Sequence, residues 1–399
     1  MSRPSAFLLR WGGRLLLLAL AGCVEPYVPA VLDAPARYLV VDGFINGAGR
    51  TRITLSRTQN ISTASAPPAE KGAKITIVDE KGGSYALTEQ RPGFYVSDSL
   101  LLPTGRRYQL RISTGAGVGA ATSYESDLVP LKVTPPIDKL EWMRQDGQLQ
   151  FRFSTHDPSG GSRFYRWRAS ETWEFTALYQ SNLEFRGGII QNRITPIYTC
   201  WHTEQPSTIT QTSTASLSQD ALTEQQVLSF SERAERVKIR YSLLLTQYAE
   251  TAEEFAYNEI LRKNTEAVGT VNDPLPSQLT GNVHRVGSPQ EPVLGFVGAH
   301  TLQSRRIFIS RQDLPAHPPD FFENPYAACQ EPDTAEIVKP YNKNGMLYPK
   351  SSVFADPDNV PTDYAYGPSY GYPIMGYIGG ARECIDCRVR GSNTKPAYW

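Results

Sequence analysis

An excess of either charge is missing from this chain, in which 40 Lys and Arg stand against 40 Asp and Glu. Neither sign gathers into blocks, so nothing draws in a polyanion and no nucleic acid is expected as a partner. Histidine is scarce, with five residues at positions 156, 202, 284, 300 and 317, and no two of them stand four apart as metal ligands on a helix do. No Gly-x-Ser-x-Gly elbow, His-Glu-x-x-His pair or phosphate-binding glycine loop is present. Carboxylate pairs of the glycosidase kind leave no short signature, and a hydrolase of that type would need two acids about 5–10 Å apart across a cleft. The expectation is therefore no catalytic residue, no metal and no cofactor.

The apolar run Leu15–Ala21 is far short of the roughly 20 residues that span a bilayer. Arg3, Arg10 and Arg14 precede it, giving the charged and apolar regions of a secretory signal. Leu20-Ala21-Gly22-Cys23 then has the lipobox pattern of bacterial lipoproteins, in which the cysteine becomes residue one and is acylated. Two or more acyl chains on Cys23 suffice for stable anchoring, since each buried methylene contributes about 0.8 kcal/mol. Residues 1–22 are thus expected to be a leader. Residues 23–36, with Pro26, Pro29 and Pro35, form a stiff tether.

Beyond the tether, strand patterns dominate. Tyr38–Ile45 is an apolar run closed by the turn signal Asn46-Gly47, and Thr51–Ser56 and Lys74–Val78 alternate at period two. With the runs at 93–96 and 108–112, this predicts an immunoglobulin-like β-sandwich over 37–135, ending at the linker Pro135-Pro136. A second sandwich, of fibronectin type, is predicted over 136–313. It opens with alternating runs around Asp146-Gly147 and continues through the aromatic segments 164–168 and 172–175 and the strand Val237–Leu245. Val293–Ala299 and Arg306–Ile309 are expected to close it. One helical insertion is predicted near 251–263, where Thr251 and Glu254 form a capping box and Ala252, Phe255, Ala256 and Ile260 supply the stripe to be buried. Residues 314–399, rich in Pro, Gly and Tyr and without periodicity, read as an irregular region packed on the second domain. The fold class is mainly β.

Four cysteines follow Cys23: Cys200, Cys329, Cys384 and Cys387. An even count in an exported chain favours two disulfides, with Cys384 and Cys387 each reaching a different remote partner. Their two-residue spacing also occurs in zinc knuckles and redox pairs. A zinc site would have to recruit Cys200 with His202, or Cys329, since no second such pair exists, and a redox pair belongs at a helix N-terminus after a strand. Tyr364, Tyr366, Tyr370 and Tyr372, interleaved with Gly and Pro, offer either a ligand or partner surface or a loop packed on its own rings.

Several blocks, in order, resemble the Bacteroidota outer-membrane lipoproteins that carry the domain of unknown function DUF4249. They are Cys23-Val24-Glu25-Pro26, the strand Tyr38–Ile45, Gly72–Asp79, Glu171-Thr172-Trp173-Glu174-Phe175, Cys200-Trp201, Arg240-Tyr241-Ser242, Pro276–His284 and the ending from Glu383-Cys384-Ile385-Asp386-Cys387-Arg388 through Lys395-Pro396 to Trp399. The resemblance implies a non-enzymatic accessory or substrate-capturing partner of a TonB-dependent outer-membrane barrel protein, with no catalytic residue to carry over. It also implies display at the cell surface, which acidic residues after the lipidated cysteine favour and for which Glu25 is placed. A stand-alone carbohydrate- or peptide-binding lipoprotein is the other expectation.

Overall fold

A computed structural model describes residues 37–60, 63, 65–115, 121–266, 281–337, 353–366 and 374–399. The leader, Cys23, the tether, Tyr370 and Tyr372 lie outside these residues. The described chain is mainly β, and no described helix is long and apolar enough to cross a membrane.

The first body contains β1 (Leu39–Asn46), β2 (Ala48–Arg57), β3 (Lys74–Asp79), β4 (Ser84–Arg91), β5 (Phe94–Leu101), β6 (Arg107–Thr114), β7 (Thr122–Ser126) and the short β8 (Val129–Pro130). They form one antiparallel sheet in the order β7-β6-β3-β4-β5-β2-β1, with β8 also on β6. Alternation decides the faces: Thr51, Ile53 and Leu55 of β2 are buried, while Arg50, Arg52 and Thr54 face water. The β1–β2 turn falls at Asn46-Gly47, where the Asn46 Oδ1 accepts from the Ala48 N–H.

The second body opens with β9 (Ile137–Gln145) and β10 (Gln148–His156), joined by Asp146-Gly147 with both residues at positive φ (52° and 73°), as a two-residue hairpin requires. The long β11 (Phe164–Thr176) follows, then the hairpin β12 (Leu183–Arg186) and β13 (Ile189–Asn192), β14 (Thr199–Glu204), β15 (Thr210–Ser213), β16 (Ala221–Ser231) and β17 (Arg240–Ala249). Sheet β16-β10-β9 contributes Leu149, Phe151 and Phe153 to one aromatic core. The opposing sheet, with β14 and β15 both on β11 and β17 beyond, contributes Tyr165, Trp167, Tyr241, Leu243 and Leu245.

Helix α1 (Ala252–Glu266) starts where expected, with the Thr251 hydroxyl accepting from the Glu254 N–H at 3.1 Å. Its buried side differs from expectation. Ala252 and Ala256 are exposed, whereas Thr251, Glu254 and Asn258 are buried. An apolar count misses this because the inward residues are polar and find their partners in other elements.

The chain then returns to the first body. β18 (Val283–Arg285) pairs with β7, and β19 (Ala299–His300) runs parallel to β1. Between them the Leu294 O accepts from the Val41 N–H, and the Asn282 amide exchanges two hydrogen bonds with the Val297 backbone. The segment 281–300 thus joins the two edges of the first sheet, which curls around one core. Val293, Val297 and Ala299 belong to that core rather than to the second body that Val293–Ala299 was expected to close. Gly295 permits the crossing: its φ is +121° and a Cβ there would sit 1.9 Å from the Val41 carbonyl oxygen. β20 (Leu302–Ser310) then completes the second body on β17.

The C-terminal region is not irregular throughout. β21 (Asp333–Ile337), β22 (Asn359–Tyr366) and β23 (Ile374–Ala381) form an antiparallel sheet in the order β21-β23-β22, followed by the short helix α2 (Arg382–Ile385). Pro361, Gly376, Gly379 and Gly380 hide the alternation in the sequence. The sheet packs on the β12–β13 hairpin through Leu183, Ile190, Phe354 and Tyr377.

Candidate functional site

The face of the β14-β11-β17-β20 sheet turned away from the core divides into two halves. Register places Arg166 beside Tyr248, Arg168 beside Thr246, Ser170 beside Leu244, Thr172 beside Ser242 and Glu174 beside Arg240. The last two rungs are covered by the chain's end. The Tyr398 hydroxyl lies 2.9 Å from the Thr172 hydroxyl, the Trp399 Nε1 donates to Glu174 at 2.9 Å, and the Arg306 guanidinium sits 3.6 Å from the Tyr398 ring centroid. The first three rungs floor an open cleft of about 490 Å³. Its wall is the segment 205–209, which leaves the sheet between β14 and β15, where Pro206 removes a ladder donor.

Arg168 is exposed in this cleft and has no side-chain partner among the described residues. Arg166 is the opposite case. Its guanidinium lies 4.8 Å from the Tyr248 ring centroid, its Nε donates to Glu250, and its Nη2 lies 3.5 Å from Glu254. Asn258 donates to the same Glu250 oxygen at 3.0 Å, and His300 from β19 brings its Nε2 to 3.4 Å from Glu254. Phe44 of β1 stacks on His300 with centroids 4.2 Å apart. Gly298 lets the pieces meet, because a Cβ there would fall 2.1 Å from a Glu254 oxygen. This enclosed cluster joins the first body, the second body and α1 at the Arg166–Tyr248 end of the cleft floor.

Burial, reinforced by Glu254, lifts the Glu250 carboxyl to about 7 against the pull of Arg166. Burial also acts to raise Glu254, but His300 and Arg166 outweigh it and hold that carboxyl below the usual range. Burial disfavours the Arg166 charge, yet Glu250 and Glu254 carry its pKa upward. Glu250 and Glu254 are the close carboxylate pair that a hydrolase reading would seek, but both are engaged on Arg166, with side chains 0% and 5% exposed. Guanidinium, hydroxyl and backbone groups facing an open cleft equip it to hold a ligand.

The four cysteines pair as Cys200–Cys387 and Cys329–Cys384, so each cysteine of the Cys-x-x-Cys motif reaches a remote partner. The residue between them is also occupied. Asp386 is buried, and it accepts from the Arg388 backbone at 3.0 Å and from the Arg388 guanidinium at 2.8 Å, contacts that hold its carboxyl low despite burial. Among the tyrosines singled out in the sequence, Tyr364 packs against Tyr377 with centroids 6.0 Å apart, while Tyr366 is 62% exposed. Arg166 and Arg168 lie in the segment 164–168, which stood out in the sequence only as an aromatic strand. The available signal was their i, i+2 placement on a strand followed by a Pro-interrupted edge.

A family model described as "Domain of unknown function (DUF4249)" matches residues 24–306. No curated protein matches the chain. Among solved structures, similarity is found to a DUF4785 family protein from Legionella pneumophila, at 13% identity and a TM-score of 0.21, covering 52% of this chain and 51% of that one. A two-domain fibronectin type III segment of chicken tenascin matches at 9% identity and a TM-score of 0.15, covering 52% and 88%. The chain therefore spans about half the length of the first of these, and neither likeness carries an argument here.

Proposed function

Since this chain belongs to the DUF4249 family, we propose that it is a non-enzymatic outer-membrane lipoprotein, held by acyl chains on Cys23 at the cell surface, that serves a TonB-dependent barrel as an accessory or substrate-capturing subunit. In this reading the two β bodies are immunoglobulin- and fibronectin-like sandwiches acting as a scaffold. The observation that carries the proposal is the cleft at Arg168: an open site whose guanidinium has no partner among the described residues, with a cluster joining the two bodies at its Arg166 end. Such a site captures a ligand without needing to transform it. The lipobox at Leu20–Cys23 supports the anchor.

Mild detergent extraction of native membranes and purification through a tag on this chain test the proposal. A barrel protein at near-equal stoichiometry is the expected result, and a chain recovered alone overturns the accessory role. The exposed Tyr366 favours a second reading, a binding lipoprotein acting without a barrel.

A further inference from the structure

We propose that a second cavity, between the β12–β13 hairpin and the C-terminal sheet, binds a phosphate group. It is separate from the cleft at Arg168 and does not rest on the accessory role. The cavity measures about 320 Å³, and its lining includes three arginines, Arg193, Arg382 and Arg388, and two carboxylates, Glu184 and Asp386.

Arg193 carries the argument. Its side chain is 10% exposed, so this is a cation largely withdrawn from water. Its Nε donates to the Ser181 hydroxyl at 2.9 Å and its Nη2 to the Leu183 carbonyl at 2.6 Å, and neither partner is charged. Glu184 stands 3.9 Å from Nη1, beyond hydrogen-bond reach, and Nη1 has no hydrogen-bond partner among the described residues. Burial lowers the Arg193 pKa, Arg388 lowers it further by repulsion, and Glu184 and Asp386 do not make up the difference. Arg166, similarly withdrawn from water, is instead carried upward by two carboxylates. A buried cation short of negative charge is the condition that an anionic ligand satisfies.

The other two arginines share one carboxylate. Asp386 accepts from the Arg388 Nε and Nη2, both at 2.8 Å, and from the Arg382 Nε at 3.4 Å. That leaves one terminal nitrogen on Arg193, two on Arg382 and one on Arg388 without a hydrogen-bond partner among the described residues. Three guanidinium groups against two carboxylates leave the lining positive by one charge. Cys384 and Cys387, each tied to a remote partner, flank Asp386 and pin the segments that carry Arg382 and Arg388. The donors are therefore held in place before a ligand arrives.

Donors from three separate side chains suit an anion with three or more oxygens. A carboxylate offers two oxygens in one plane and is satisfied by a single guanidinium fork, whereas a phosphate can engage all three arginines. Phe185 and Phe354 also line the cavity and give an apolar wall to whatever the phosphate is attached to.

Calorimetric titration of the purified full chain with inorganic phosphate, against acetate at matched ionic strength, tests the site. Phosphate should bind one to one and about tenfold more tightly than acetate, the order of one charge-assisted hydrogen bond. Arg382→Gln, at a partly exposed position, should weaken phosphate binding about tenfold. Glu184→Gln removes a competing charge and should tighten it about threefold, a change that damage to the fold cannot produce. Glycerol 3-phosphate and dihexanoyl phosphatidylglycerol, added as competitors, identify the source. Whichever displaces phosphate at the lower concentration assigns the site to a soluble phosphate ester or to a lipid headgroup. Absence of phosphate binding, equal affinity for acetate, or indifference to both Arg382→Gln and Glu184→Gln overturns the site.

Discussion

The two β bodies bury different chemistry. The first surrounds a core of Leu, Val and Ile with three tyrosines, closed by the return of 281–300. The second is built on Phe151, Phe153, Trp167, Trp173 and Phe175, buries Glu171, Glu250 and Glu254, and is stapled by Cys200–Cys387. The first body answers its buried charge, Asp79, from within through Arg106, although its core is completed by the returning segment 281–300. The buried Glu250 and Glu254 of the second region find their partners across elements, in β11, α1 and β19. The open cleft that Arg168 lines lies on the second body.

Cutting into each core should expose the contrast most strongly. Phe151→Ala should cost about 3–5 kcal/mol, against about 0.5–1.5 kcal/mol for Ile77→Val in the first body, both positions being fully buried. Denaturant unfolding of the two variants checks this, and equal losses would erase the distinction. Next come the disulfides. Cys200–Cys387 spans 187 residues and Cys329–Cys384 spans 55, so removing the first should cost more, within a typical range of about 2–5 kcal/mol. Paired serine variants compared by thermal unfolding give the order.

A smaller effect sharpens the electrostatic side. The Glu250 pKa rises on folding from an ordinary 4.5 to about 7, so the folded chain binds the extra proton between those values. That contribution to stability is complete below about pH 4.5 and is lost as pH rises through 7, because the unfolded state releases its proton first. Glu250→Gln, which stays neutral and keeps a hydrogen-bonding oxygen, should flatten stability between pH 5 and pH 8. A slope unchanged from the parent chain would locate the titration elsewhere. The smallest expected change is at Arg168→Ala. This exposed residue should move stability by no more than about 0.5 kcal/mol in the same unfolding measurement, so that binding effects there report on the cleft alone.

What was legible in the sequence were the local features. Asp146-Gly147 signals its turn because both residues adopt positive φ readily, and Thr251 signals the start of α1 by capping it. That Cys384 and Cys387 each reach a remote partner was expected from the even count of four cysteines after Cys23, though the connectivity was not. What escaped was set at long range. Ala299 pairs with Ile45 from far along the chain, and nothing near either residue announces it. The buried side of α1 is polar because Glu254 answers Arg166 and His300, partners from two other strands. The gap beside Arg168 is a matter of register between β14 and β15, which no composition or periodicity records.

Capture at a membrane presupposes the anchor, and intact-mass analysis of the protein extracted from native membranes addresses it directly. The mature chain should begin at Cys23 and be heavier than its polypeptide by two or three acyl groups, and Cys23→Ser should be released from the membrane. An unmodified chain, cleaved at another position and recovered in the soluble fraction, would contradict it.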